Sequence, residues 1–190
     1  MRKKLLLAIA FALGVWAYLL MGAAAPRRAP AAPAMGAEDG IAAYFSPGGG
    51  CTSAVVAQIE KATQTIDVQA YLFTSPPIAQ AITQAYDRGV RIRVVLDKSQ
   101  KTGHYSSATY LLNHHVPVYI DDQHALAHNK VMLLDGQVLI TGSFNFTKSA
   151  EENNAENLLI IRDRPKLIAA YQANFDRHFN HSMPYAASGK

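Results

Sequence analysis

Apolar positions along this chain change period repeatedly, and each change marks an element. Ala42 to Phe45 is a short apolar and aromatic run that reads as a strand, and Ser46-Pro47-Gly48-Gly49-Gly50 breaks it. From Ser53 to Ala62 the period becomes helical, with Val55, Ile59 and Ala62 on one face. Thr65 to Phe73 is rich in β-branched and aromatic residues and predicts a buried strand. The helix that follows is punctuated at both ends. Ser75 stands at its cap, Pro76 and Pro77 suit its first turn, Gly89 ends it, and Ile78, Ala81, Ile82, Ala85 and Tyr86 form its stripe. Val90 to Leu96 predicts a strand, Ser106 to Asn113 a helix and Val116 to Ile120 a strand. Lys130 to Leu134 and Gln137 to Thr141 read as two strands around a tight Asp135-Gly136 turn. Leu158 to Ile161 is a further strand. Arg164 to Phe179 is a closing helix, with Leu167, Ile168, Tyr171 and Phe175 expected to face inward. Strands and helices in this order imply an α/β domain, a mixed β-sheet flanked by helices on both faces.

The ends of the chain depart from this pattern. Arg2, Lys3 and Lys4 precede an uninterrupted apolar stretch from Leu5 to Met21, and Gly22-Ala23-Ala24-Ala25 supplies small residues. That is the layout of a secretory signal peptide, with cleavage expected after Ala24 and export to the periplasm or the medium. An uncleaved membrane anchor ranks second, because the stretch is near the lower length limit for a bilayer span. Residues 25–40, rich in Pro and Ala, read as a flexible tether. The domain proper is expected at residues 41–181, with 182–190 as a tail.

Composition then adjusts the picture in two places. The chain has 190 residues, 49% of them hydrophobic and 17% charged, which suits one globular domain with a real core. Its net charge of +4 is mostly leader: residues 1–24 hold three of the 18 Lys+Arg and none of the 14 Asp+Glu, leaving 15 against 14 and a charge of +1. Any polyanion footprint must therefore be local. Cys51 is the single cysteine. It permits no intrachain disulfide and reads as a half-buried free thiol near a helix start.

The candidate chemistry lies between His128 and Asn145. His128, Lys130, Asp135, Gly142, Ser143 and Asn145 form the pattern H-x-K-x4-D-x6-G-S-x-N, which occurs once. His128 and Lys130 are two apart at a strand start, so alternation places them on one face. Ser143 and Asn145 repeat that spacing after the next strand. If the two strands pair through the Asp135-Gly136 hairpin, both polar pairs reach one end of the sheet. A phosphate there would meet an ammonium, a hydroxyl, an amide and a neutral imidazole. Gly142 lets the backbone approach closely. Asp135 is most simply a hairpin residue. Singly, each residue has an ordinary structural explanation; the combination at fixed spacing is what points to a phosphodiester site.

This segment resembles the signature of the phospholipase D superfamily. Gly142 to Thr147, followed by Ala155-Glu156-Asn157, is similar to its small bacterial endonuclease branch, and the likeness runs from Ile41 to His181, including Gln69 to Thr74. The resemblance implies a phospholipase D-like α/β/α sandwich and a homodimer in which two single signatures meet at a two-fold axis. It implies that His128 of one subunit attacks phosphorus to give a phosphohistidine, and that His128 of the other protonates the leaving oxygen and then activates water. Lys130, Asn145 and Ser143 would hold the phosphoryl oxygens. Glu156 matches the family carboxylate that hydrogen-bonds the imidazole. Two nearby imidazolium groups repel, so activity should fall at both pH extremes.

The expected function is thus a metal-independent endonuclease acting on DNA, or on RNA, with no cofactor. The alternatives are a phospholipid phosphodiesterase of cardiolipin type and a catalytically silent binding protein, against which the intact His128, Lys130, Asn145 and Glu156 set argues. The basic run Arg88, Arg91, Arg93, Lys98 and Lys101 reads mostly as a solvated surface, and within it Lys98 and Lys101 are the candidate substrate-binding residues for backbone contacts, with Lys148 as another. A metal site is not expected. His124 and His128 are four apart beside Asp121 and Asp122, but in a loop, and no second ligand cluster stands at useful spacing.

Overall fold

The structure, a computed structural model, describes residues 35–102 and 106–186; the leader lies outside them. One nine-stranded sheet organises the chain. In chain order its strands are β1 (Met35–Glu38), β2 (Ile41–Ser46), β3 (Thr65–Ala70), β4 (Arg91–Asp97), β5 (Val118–Asp121), β6 (Lys130–Leu134), β7 (Val138–Gly142), β8 (Glu156–Ile161) and β9 (Met183–Pro184). Across the sheet they run β1-β2-β8-β7-β6-β3-β4-β5-β9. Pairs β3/β4 and β4/β5 are parallel and every other pair is antiparallel. The helices are α1 (Cys51–Lys61), α2 (Pro76–Asp87), α3 (Ala108–Asn113), α4 (Lys148–Glu152) and α5 (Pro165–His181), with a 3-10 turn at Lys98–Lys101.

Alternation along the strands builds two cores. Ile66, Val68, Val94, Leu96, Ile120, Met132 and Ile140 face one way, into the larger core with Val55, Ile59, Ile78, Ile82 and Leu111 of α1, α2 and α3. Val95, Val131, Leu133 and Leu139 face the other way and meet Ile168 and Phe175 of α5. The α/β/α sandwich is therefore as expected. Leu167, expected to face inward, is exposed: α5 is amphipathic about Ile168 and Phe175, and a stripe one residue wider would have faced solvent.

The boundaries differ where neighbours supply what local pattern does not. The sheet begins at Met35, so β1 falls inside the expected tether, and β9 falls inside the expected tail, where it pairs with Tyr119 and Ile120. Helix α1 starts at Cys51, two residues early, because Glu151 of α4 accepts from Gly50 N at 3.0 Å and Thr52 N at 2.7 Å. That remote carboxylate caps a helix whose own N-cap, Gly50, has no side chain. Cys51 is fully buried rather than half-buried, and burial first, then the neighbouring Glu151 charge, pushes its thiol up to about 12.

Candidate active site

Sheet register gathers the signature residues other than Asp135 at one edge, where β3, β4, β5 and β7 end and β6 and β8 begin. Ala70 at the end of β3 faces Lys130 at the start of β6. Val131 faces Thr141 across β6/β7, Gly142 faces Leu158 across β7/β8, and Glu156 faces Ser46 across β8/β2. Beyond β7 the chain runs Ser143-Phe144-Asn145-Phe146. Phe144 and Phe146 are wholly buried, and Phe146 meets Phe73 edge-on at 6.1 Å. With both phenylalanines fixed in the core, the alternating Ser143 and Asn145 are turned outward to the edge. Thr74 and Ser75 lock this stretch by donating their N–H groups to Phe146 O, each at 2.9 Å.

His128 is exposed and stacks obliquely on Tyr71, ring centroids 4.5 Å apart. Lys130 is buried, its Nζ lying 5.1 Å from the same ring and donating to His128 O at 3.0 Å. Burial pushes the Lys130 ammonium down, and the nearby Glu156 carboxylate offsets part of that shift. Lys130, Glu156 and His128 are thereby tied to one locus. Tyr71 is a site residue that sequence reasoning missed as such. Its signal was its place one step past β3, beside the pairing of Ala70 with Lys130.

Ser143 and Glu156 are joined directly. The Ser143 hydroxyl donates to Glu156 Oε2 at 2.6 Å and accepts from Asn157 N at 3.1 Å and Asn157 Nδ2 at 3.2 Å. Asn154 Nδ2 donates to the other oxygen, Oε1, at 3.0 Å. Each oxygen of Glu156 thus accepts one bond, from Ser143 and Asn154, and among the described residues its partners are these two rather than the imidazole. Asn145 is half-buried, and its Oδ1 has no hydrogen-bond partner among the described residues. Gly142 adopts φ 150, and a Cβ there would sit 2.3 Å from Asn157 O, the atom that accepts from both Ser143 N and Phe144 N.

Asp135 lies at the opposite end of β6. It turns the hairpin with φ 54, followed by Gly136 with φ 64. Its carboxylate accepts from the backbone N–H of Thr63, Gln64 and Thr65 at 2.9, 2.8 and 2.8 Å. Burial alone would raise it, but those bonds hold it below the usual carboxylate range. Its role is structural, as the sequence suggested.

The basic run divides. Arg93 is bidentate to Asp67 at 2.7 and 2.6 Å, bonds Asp176 at 2.9 Å and lies over Phe175 and Phe179, so it fastens α5 to the sheet. Arg88 donates to carbonyls at the end of α1. Lys98 follows β4 at the site edge and donates to His124 O at 2.9 Å; Lys101 is exposed. Lys148 pairs with Glu152 at 3.7 Å. Asp97, also missed, accepts from Ala127 N at 2.7 Å and so holds the residue before His128. His124 Nδ1 meets Asp121 at 2.9 Å, where His178 and His181 of α5 join it. The second ligand cluster absent from the linear spacing is thus supplied by the fold.

Comparison with known proteins gives a consistent set. Residues 55–179 match the sequence family described as "Cardiolipin synthase, PLD-like domain". A "Phospholipase D" of Rickettsia prowazekii is 42% identical over 135 residues, 71% of this chain and 65% of that protein. A "Mitochondrial cardiolipin hydrolase" of Chlamydomonas reinhardtii is 34% identical over 61% of this chain and 52% of its own length. The chain thus spans roughly half to two thirds of these relatives. The crystal structure of a phospholipase D family member, Nuc from Salmonella typhimurium, superposes with a TM-score of 0.73 at 35% identity, covering 76% of this chain and 97% of that one.

Proposed function

This chain belongs to the phospholipase D superfamily, and from that premise we propose that it is a phosphodiesterase hydrolase cleaving DNA through a phosphohistidine, at a site completed by a second copy of itself. The observation that carries the reading is the convergence of His128, Lys130, Ser143, Asn145 and Glu156 on one sheet edge around the exposed His128 imidazole. His128 attacks phosphorus, forming a P–N bond as the P–O bond to the leaving group breaks. The partner's His128 gives its proton to that oxygen, then takes one from water, whose oxygen displaces the imidazole. Lys130 and the Asn145 amide hold the non-bridging oxygens where charge builds up.

Two observations support a shared site. The signature occurs once and brings one histidine, His128, to the catalytic cluster, and two roles need filling. Apolar surface lies beside it: Leu126 is 57% exposed two residues before His128, and Phe45 is 40% exposed next to Ser46. For the substrate, the likeness spans nearly all of Nuc but only part of the lipid-named relatives. Lys101, exposed beyond β4, and Lys98 extend the edge with positive charge. The names of those relatives favour one second reading, hydrolysis of a cardiolipin-like phospholipid.

Chelator-treated protein, held below its own unfolding temperature, is incubated with plasmid DNA and separately with cardiolipin vesicles. Nicking that disappears in His128→Ala, with acid-labile phosphate trapped on the wild-type chain, is the expected result. Lipid cleavage without nicking would move the assignment to the second reading, and turnover of neither would sink both.

A further inference from the structure

Past β5, beyond the residues of the phosphodiester chemistry, four side chains converge. Asp121 ends β5, His124 follows three residues later, and His178 and His181 stand one turn apart at the end of α5. Their ligand atoms all lie within 4.8 Å of one another. His124 Nδ1 is 2.9 Å from Asp121 Oδ1 and 3.0 Å from Oδ2. His178 Nδ1 is 2.8 Å from Oδ2, and His181 Nε2 is 3.2 Å from the same oxygen. The three rings sit 4.8, 5.3 and 5.4 Å apart. Asp121 is fully buried.

A hydrogen-bonded clamp accounts for two of these histidines and not the third. His181 Nε2 is buried and meets Oδ2 at 3.2 Å as an ion-pair contact without a well-formed hydrogen bond. The backbone N–H of Gln123 already occupies Oδ1 at 3.2 Å, and Lys98 donates to His124 O rather than to the carboxylate. One carboxylate thus faces three imidazole nitrogens, one of them without a hydrogen bond. A tetrahedral cation would satisfy all four groups together, because three neutral imidazoles and one carboxylate form a donor set suited to zinc.

We propose that Asp121, His124, His178 and His181 bind one divalent transition-metal ion, zinc in first place, through His124 Nδ1, His178 Nδ1, His181 Nε2 and one Asp121 oxygen. Zn–N and Zn–O bonds of about 2.0–2.2 Å put ligand atoms roughly 3.3 Å apart, so side-chain adjustments of roughly 1 Å close the site. The ion takes no part in phosphodiester cleavage. It straps the end of α5 to β5 and to the segment 121–128, which delivers His128 to the edge.

The test uses the full chain, stripped with chelator and dialysed, then titrated with ZnCl2 against a chromophoric competitor. One zinc per chain is expected, with a rise in Tm. His178→Gln and His181→Gln should each weaken binding by more than ~100-fold, beyond the loss of an outer-shell partner. His128→Gln should leave it intact. Cobalt(II) bound to the wild-type chain should show the intense visible bands of a tetrahedral site, a readout that does not depend on any variant folding. Weak octahedral bands, no stoichiometric zinc, or binding lost in His128→Gln and kept in His181→Gln would overturn the site. Zinc binding without any nuclease or lipase turnover would leave the site standing and count only against the enzymatic reading.

Discussion

Lys130 occupies the most constrained position of the site. Its ammonium is buried against Tyr71, partly neutralised by Glu156, and fixed by one bond to His128 O, which leaves its other protons for a ligand. Lys130→Gln should lower kcat by about 10²–10³-fold, as loss of a positioned donor at a developing charge does, with circular dichroism unchanged. Lys130→Arg should not rescue it, because a planar guanidinium does not fit a slot shaped for a point charge. At the other end of the strand, Asp135 makes a pH-dependent contribution. Its folded-state pKa lies below its ordinary value, so its stabilisation is present above about pH 4 and lost as pH falls through the folded value. The Tm gap between wild type and Asp135→Asn should be widest above pH 5 and narrow below about pH 4; a gap that stays constant through this range would contradict the bond pattern. Both positions were legible in the sequence, because fixed spacing on paired strands fixes faces. Tyr71 and Asp97 were not, since their importance comes from neighbours in space.

At the scale of elements, the strands and long helices could be read because each carries a full apolar stripe. The short ones could not. Helix α4 spans five residues and depends on Thr147, whose hydroxyl accepts from Ala150 N at 3.1 Å. It nevertheless supplies Glu151, the cap of α1. Glu151→Ala should cost about 1–3 kcal/mol in chemical denaturation, since it leaves two partly buried N–H groups unpaired. The turn after β7 is equally exacting. Gly142→Ala would drive a methyl into Asn157 O and displace Ser143 and Phe144 together, so loss of both Tm and turnover is expected.

For the molecule as a whole, the decisive question is how many chains make one site. When wild type and His128→Ala are unfolded, mixed one to one and refolded, a shared site leaves about one quarter of the wild-type activity, whereas independent sites leave about half. Light scattering that shows a monomer at working concentration, with full activity, would remove the shared-site mechanism. The sandwich itself could be read from the order of elements. The Asp121 cluster could not, because its ligands are separated by the whole stretch from β6 to α5 and meet only when α5 folds back over the sheet.

The Asp135 carboxylate has one more consequence, for anyone inserting or deleting residues here. By gripping Thr63, Gln64 and Thr65, it fastens the far end of β6 to the start of β3. The spacing from His128 to Asp135 is thus a ruler, cut to the length of one strand. One residue added inside it would invert the pleat and turn Lys130 to the wrong side of the sheet. The part of the motif that looks most like filler is therefore the least editable stretch of the domain.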